Sequence, residues 1–169
     1  PLAVRSMLNR QQPFGADVIS RVSATMLDPE GAYLIGSLIN DMLSGEKFDI
    51  VGGLEMGAVP IATAVAAVSF ARGKPIQAFF VRKAVKEHGT RRLIEGLNRG
   101  ETLAGRRVVI LEDVTTTGGS SVRAIEAVKA DGGEVVRVIT VVDRLEGAAD
   151  TFKGIGVPFS AVVTAADLR

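Results

Sequence analysis

Four consecutive apolar residues, Val108 to Leu111, run without a polar break into the acid pair Glu112-Asp113. Val114-Thr115-Thr116-Thr117-Gly118-Gly119-Ser120 follows directly. A strand with one wet face alternates apolar and polar residues, whereas a strand without alternation is covered on both faces. The run thus reads as a central strand, and the residues after it read as a helix from about Ser121 to Ala130, closed by Gly132-Gly133.

The same alternation of strand and helix extends along most of the chain. Asp28-Pro29-Glu30 is a helix start, with an N-cap, a first-turn proline and an acid at the positive dipole end. Tyr33, Leu34, Leu38, Ile39, Met42 and Leu43 keep helical spacing up to Gly45. A short strand is expected at Phe48–Val51, running into the loop 52–57. An alanine- and valine-rich helix is expected from about Ala58 to Arg72, and a strand from about Ile76 to Val81. Further strands cover Val135–Val142, which ends at Asp143-Arg144, and roughly Phe159–Val163. Residues 1–27 show no clear period, and Pro13 and Gly15 interrupt them. Residues 82–105 form a charged, glycine-punctuated stretch, expected as a flexible loop. At 169 residues the chain fits one domain, 1–169, with a central mostly parallel sheet flanked by helices. In such sheets ligands bind at the carboxyl ends of the strands.

Composition removes several chemistries. There are no cysteines and one histidine, His88. Disulfide frameworks, thiolate zinc sites, cysteine nucleophiles and His-rich metal sites are excluded. Any metal must use oxygen ligands, which suits magnesium. Mean hydropathy is +0.28, but the longest apolar stretch, Ala58 to Ala71, is too short and too rich in alanine to span a bilayer. The first residues do not read as a secretory signal, so a cytoplasmic protein is expected.

Charge is distributed unevenly. The net charge is +1, yet Arg82, Lys83, Lys86, Arg91 and Arg92 face a single acid, Glu87, within eleven residues, a local +4. That concentration suggests a local anionic ligand rather than a nucleic-acid face.

A helix start offers unpaired N–H groups and a partial positive charge, and two glycines let the backbone curl around an anion. The turn Thr115-Thr116-Thr117-Gly118-Gly119-Ser120 has these properties, with hydroxyls as further donors. It is neither a P-loop nor a dinucleotide turn, since GxxxxGK[ST] and GxGxxG are both absent there. The carboxylates of Glu112 and Asp113 repel phosphate but accept hydrogen bonds from sugar hydroxyls, directly or through magnesium. Phosphate donors beside diol acceptors describe a ribose 5-phosphate site. The bland alternative, a strand-to-helix turn with an incidental capping acid, leaves the triple threonine and double glycine unexplained. Arg82, Lys83, Lys86 and His88 lie in a segment without an apolar period and suit a flap closing over a diphosphate.

VVILEDVTTTGGS at 108–120 resembles the phosphoribosyl pyrophosphate motif of the type I phosphoribosyltransferases. VRKAVKEHGT at 81–90, VVDRLEGA at 141–148 and GGLEMGAVPIA at 52–62 resemble, in turn, the flexible loop, a strand end and the pyrophosphate loop of the orotate phosphoribosyltransferase family. The resemblance implies transfer of ribose 5-phosphate from phosphoribosyl pyrophosphate to orotate, with magnesium held mainly by substrate rather than by protein ligands. It implies that Glu112 and Asp113 bind the ribose hydroxyls, Asp113 lying beside the developing cation. Thr115, Thr116, Thr117, Gly118, Gly119 and Ser120 would hold the 5-phosphate. Arg82, Lys83, Lys86 and His88 would hold pyrophosphate, with Lys86 and His88 reaching across a homodimer, and Arg144 would meet the orotate carboxylate. Two departures stand out. No Ser-Gly-Arg-x-Ser segment occurs in residues 1–27, and Glu55-Met56-Gly57 has no lysine. A purine or uracil enzyme is disfavoured by the loop RKAVKEHG and Arg144. A nucleic-acid-binding sensor of the same fold is disfavoured by the −3 charge outside the loop.

Overall fold

The computed structural model describes residues 1–10, 17–89 and 91–168. Six strands form one sheet: β1 (Ile50–Leu54), β2 (Gln77–Val81), β3 (Ile94–Glu95), β4 (Arg107–Thr115), β5 (Glu134–Asp143) and β6 (Phe159–Thr164). Their order is β3-β2-β1-β4-β5-β6, and every pairing is parallel except β2 with β3. The helices are α1 (Leu2–Arg10), α2 (Val18–Met26), α3 (Pro29–Met42), α4 (Ala58–Ala71), α5 (Gly119–Ala130) and α6 (Ala148–Gly154).

Strand β4 shows how the sequence divides the core. Val109 and Leu111 pack with Leu8 of α1, Val22 of α2, Ile35 of α3 and Val65 of α4. Val108 and Ile110 turn the other way, onto Ala124 and Ile125 of α5 and Phe152 of α6. All four β4 side chains are fully buried, which is why this strand carries no polar alternation. Each such side chain contributes roughly 1.5–3 kcal/mol of burial. The mostly parallel sheet flanked by helices is therefore the fold.

Helix α3 starts as its sequence requires: the Asp28 carboxylate accepts the N–H groups of Glu30 and Gly31, both at 3.0 Å. Helices α1 and α2 were hidden because a charged residue occupies a core position. Arg21 is buried, donating from Nε to the Leu8 carbonyl and from Nη2 to Asn9 Oδ1, each at 3.0 Å. The expected interruption at Pro13 and Gly15 lies outside the described residues.

Three expectations change. Strand β1 begins at Ile50 and runs on through Gly52-Gly53 to Leu54. A Cβ at Gly53 would fall 2.1 Å from the Leu111 carbonyl oxygen, so glycine here admits close strand packing rather than opening a loop. Strand β4 does not stop at Leu111 but continues through the acid pair, pairing Val114 with Val142 and Thr115 with Asp143. Segment 82–105, expected as one open loop, is divided. Its second part forms β3 against β2, buries Ile94 and Leu103, and is clamped by Arg92. Arg92 grips both Asp131 carboxylate oxygens, Nε to Oδ1 at 2.7 Å, and Asp131 also accepts the Leu103 N–H at 2.8 Å. Residues 82–89 form neither helix nor strand, and none of them is buried.

Candidate active site

Strands β1 and β4 are neighbours, so their carboxyl ends open together. A cavity of ≈ 310 Å³ lies there. It is lined by Glu55, Met56 and Gly57 after β1, Glu112, Asp113 and Val114 of β4, and Thr116 and Ser120 of the turn into α5. Leu54, Lys83 and Ile19 complete it. A larger cleft of ≈ 390 Å³ lies at the opposite edge, lined by Asn40, Asp41, Arg72 and Lys74 among others. It sits at helix carboxyl ends, and Arg72 there is already paired with Asp41 at 2.7 Å. The first cavity, which holds the acid pair, is therefore the candidate site.

The two carboxyl groups differ although they are adjacent. Glu112 is 6% exposed and accepts the Ser121 hydroxyl at 3.2 Å. Burial, and then the neighbouring Asp113 carboxylate, push the Glu112 carboxyl up to about 8. Asp113 is only half-buried and accepts the Val114 N–H at 2.8 Å. A Cβ at Gly57 would fall 2.5 Å from the Asp113 carboxylate, so glycine at this position lets the β1–α4 turn close over it. One carboxyl group thus favours its neutral form while the other faces the cavity.

The turn into α5 is built from the strand end. Gly118, at φ 92°, precedes the helix, and no side chain caps its first N–H groups. A further cavity of ≈ 30 Å³ lies against it, lined by Glu112, Val114, Thr115, Thr116, Gly118, Gly119, Ser120 and Ser121. The Thr117 carbonyl accepts the Thr151 hydroxyl at 2.8 Å, tying the turn to α6. Thr115 differs from its neighbours: its side chain is buried, its hydroxyl has no hydrogen-bond partner, and its carbonyl accepts the Arg144 N–H at 2.9 Å.

The expected cations are spread out. Lys83 reaches the cavity that holds the acid pair, and its N–H donates to Glu55 Oε1 at 2.7 Å. Lys86 Nζ lies 2.5 Å and Arg82 Nη1 4.0 Å from Glu95 Oε1 on β3. His88 is exposed. Arg144 is exposed and paired with Glu146 at 2.8 Å. The structure thus gathers Glu112, Asp113, Lys83, Thr116 and Ser120 around one cavity, with Thr115, Gly118 and Gly119 beside it. Thr117, Arg82, Lys86, His88 and Arg144 line neither cavity.

Sequence reasoning placed the 52–62 loop, with Glu55, Met56 and Gly57, near pyrophosphate, but it missed Ile19, Ser121 and Arg123 as members or neighbours of the site. Glu55 meets only a backbone N–H, and Arg123 only the Lys83 carbonyl, at 3.1 Å. Neither contact has a sequence signature. Ser121 lies nine residues after Glu112, in the first turn of α5, and the two meet only through the way the strand turns into the helix. Among the described residues no group of three or more His, Cys, Asp or Glu could hold a metal ion. No described helix is long and apolar enough to cross a membrane.

The sequence model of the phosphoribosyl transferase domain matches residues 23–161. The orotate phosphoribosyltransferase of Bradyrhizobium diazoefficiens is 55% identical over 152 residues, 90% of this chain and 81% of that protein. The chain belongs to the orotate phosphoribosyltransferase family. The family enzyme of Bradyrhizobium sp. strain BTAi1 is 53% identical over 150 residues, 89% of this chain and 81% of its own. Among solved structures, the orotate phosphoribosyltransferase of Mycobacterium tuberculosis H37Rv in complex with 5-phospho-alpha-D-ribosyl 1-diphosphate is 38% identical. It has a TM-score of 0.82 and covers 99% of this chain and 90% of that one. Of the cavity-lining residues, Ile19 alone falls outside the matched domain.

Proposed function

We propose that this protein transfers the ribose 5-phosphate group of phosphoribosyl pyrophosphate to orotate, giving orotidine 5-phosphate and pyrophosphate. The observation that carries the reading is the meeting of an acid pair and an uncapped helix N-terminus at the carboxyl ends of β1 and β4. The bond from ribose C1 to pyrophosphate oxygen breaks, and a bond from C1 to the orotate ring nitrogen forms. The electron pair of the broken bond leaves with pyrophosphate, and the proton of the orotate ring nitrogen is released to pyrophosphate or solvent. Thr116, Thr117, Gly118, Gly119 and Ser120 hold the 5-phosphate through α5 N–H groups and hydroxyls. Thr115 lines the small cavity, and its buried hydroxyl, which has no other hydrogen-bond partner, is the donor it offers there.

Asp113 accepts ribose hydroxyls and stabilises charge developing at C1. Glu112 sits behind it, held by Ser121. Magnesium fits this donor set as an ion carried by the diphosphate, offsetting its charge, with Asp113 as the accessible protein oxygen nearby. Arg82, Lys83, Lys86 and His88 receive the diphosphate when residues 82–89 fold over it. Lys86 and His88 do so across a homodimer. The enzyme works in the cytoplasm, where de novo pyrimidine synthesis would use its product.

Arg144 sets base choice. Orotate's carboxylate replaces Glu146 as its partner, a bidentate arrangement that uracil cannot offer. The test is pyrophosphate release measured across orotate, uracil, adenine and hypoxanthine, for the parent and Arg144→Ala. The parent should act on orotate. Arg144→Ala should raise the orotate KM about tenfold or more and leave that of phosphoribosyl pyrophosphate nearly unchanged. Preference of the parent for another base, or equal weakening of both substrates, contradicts the reading.

A further inference from the structure

Glu95 stands outside the cavity, yet it touches two of the cations proposed to serve it. It lies on β3, where pairing with Phe80 of β2 fixes its backbone. Its side chain is about three-quarters shielded from solvent, and Oε1 lies 2.5 Å from Lys86 Nζ and 4.0 Å from Arg82 Nη1. The root of the same segment is tied by two more contacts: Glu55 accepts the Lys83 N–H, and Arg123 donates to the Lys83 carbonyl. The Arg82 N–H also donates to the Leu93 carbonyl at 2.9 Å. Residues 82–89 bury none of their own side chains, so these polar contacts are what hold the segment.

We infer that Glu95 is a positioning residue, a resting counter-ion that holds Lys86 and Arg82 against β3 until a diphosphate displaces it. The inference rests on the reading that these cations bind pyrophosphate. A partly exposed pair between one lysine and one carboxylate is weak. A diphosphate offers more charge and more acceptor oxygens, so it takes the cations over. Binding then exchanges one partner for another and does not order a segment from nothing. The same competition acts on the product: as pyrophosphate leaves, Glu95 takes the cations back. Glu95 therefore lowers affinity for both phosphoribosyl pyrophosphate and pyrophosphate while leaving orotate untouched.

The experiment compares Glu95→Gln, Lys86→Ala and the double variant with the parent. It measures calorimetric affinity for phosphoribosyl pyrophosphate and inorganic pyrophosphate in every variant, turnover in every variant, the orotate KM in the parent and Glu95→Gln, and amide exchange over residues 83–89. Glu95→Gln should tighten phosphoribosyl pyrophosphate and pyrophosphate by about threefold to tenfold. The orotate KM should stay constant, and exchange over 83–89 should quicken in the free protein. In the Lys86→Ala background the gain should shrink to about twofold or less, because the paired cation is gone. Glu95→Asp keeps the charge and guards against damage to β3; its pyrophosphate affinity should stay near the parent's. Unchanged or weaker pyrophosphate binding in Glu95→Gln overturns the inference. So does a gain that persists in full without Lys86, which marks a through-space charge effect, or an equal gain in Glu95→Asp. Lys86→Ala alone reports on the underlying reading. If it loses turnover while Glu95→Gln is silent, only the counter-ion role fails. If it turns over like the parent, the loop reading fails and takes the counter-ion role with it.

Discussion

The turn at 115–120 and the segment at 82–89 both present donors suited to anions, but they are made in opposite ways. The turn continues a nine-residue central strand into a twelve-residue helix. It is tied to α6 through Thr151 and to the end of β5 through the Arg144 N–H. Its donors are backbone groups that cannot swing away. The segment at 82–89 has no regular structure; Lys86 and Arg82 rest on Glu95, and the Lys83 backbone N–H is held by Glu55. Fixed donors need no ordering when the ligand arrives, which suits the phosphate that takes no part in the reaction. Cations resting on a weak counter-ion change partner on closure and can return on opening, which suits the group that leaves.

The largest effect is expected on the fixed side. Asp113→Asn keeps the shape and removes a charge beside the ribosyl centre. Turnover should fall on the order of 100-fold or more. The KM for phosphoribosyl pyrophosphate should change far less, because the turn that holds the phosphate is intact. Near-parental turnover at saturating magnesium would detach the acid pair from the reaction.

An intermediate effect comes from separating the two regions onto different chains. Lys86→Ala lacks the loop cation and Asp113→Asn lacks the ribose contact, and both parents should be nearly inactive. If the loop serves the partner's site, one site of each hybrid dimer has an intact loop and an intact acid pair. After random subunit exchange, about a quarter of parental activity should return. Confirmed exchange without recovery would place loop and acid pair in the same chain's site.

A smaller effect concerns Glu112, which belongs to the fixed region but does not line it as openly as Asp113. Its carboxyl sits at about 8 in the folded protein against an ordinary value of 4.5. A group raised on folding lends stability that is fully present below the unfolded value and is lost as pH rises through the folded one. Melting temperature of the ligand-free protein should therefore decline from about pH 5 to pH 9. In Glu112→Gln, which cannot ionise, that decline should be shallower. Parallel pH profiles for the two proteins would mean that Glu112 does not titrate between them.

How much of this was legible differs by region for the same reason. Strand β4, its following helix and the acid pair are local features, and a continuous apolar run followed by acids and glycines announces them. The true end of β4 was not visible, because Val114 and Thr115 look like turn residues until their pairing with Val142 and Asp143 is known. The division of 82–105 was hidden for a physical reason too. Strand β3 has two residues, and what pins it is Arg92 on Asp131, 39 positions away. Ile94 and Leu103 belong to short apolar pairs in a charged stretch, with no period to mark them as buried. The composition of 82–89 revealed its charge but not where the charge rests, since Glu95 comes from β3.

The division of labour between turn and flap is tested most directly by calorimetric binding of two ligands to the parent and to Lys86→Ala, both with magnesium. Ribose 5-phosphate reaches only the turn and the acid pair, whereas phosphoribosyl pyrophosphate reaches the flap as well. Lys86→Ala should bind ribose 5-phosphate as the parent does and bind phosphoribosyl pyrophosphate about tenfold more weakly. Equal weakening of both ligands, or of neither, would contradict the account.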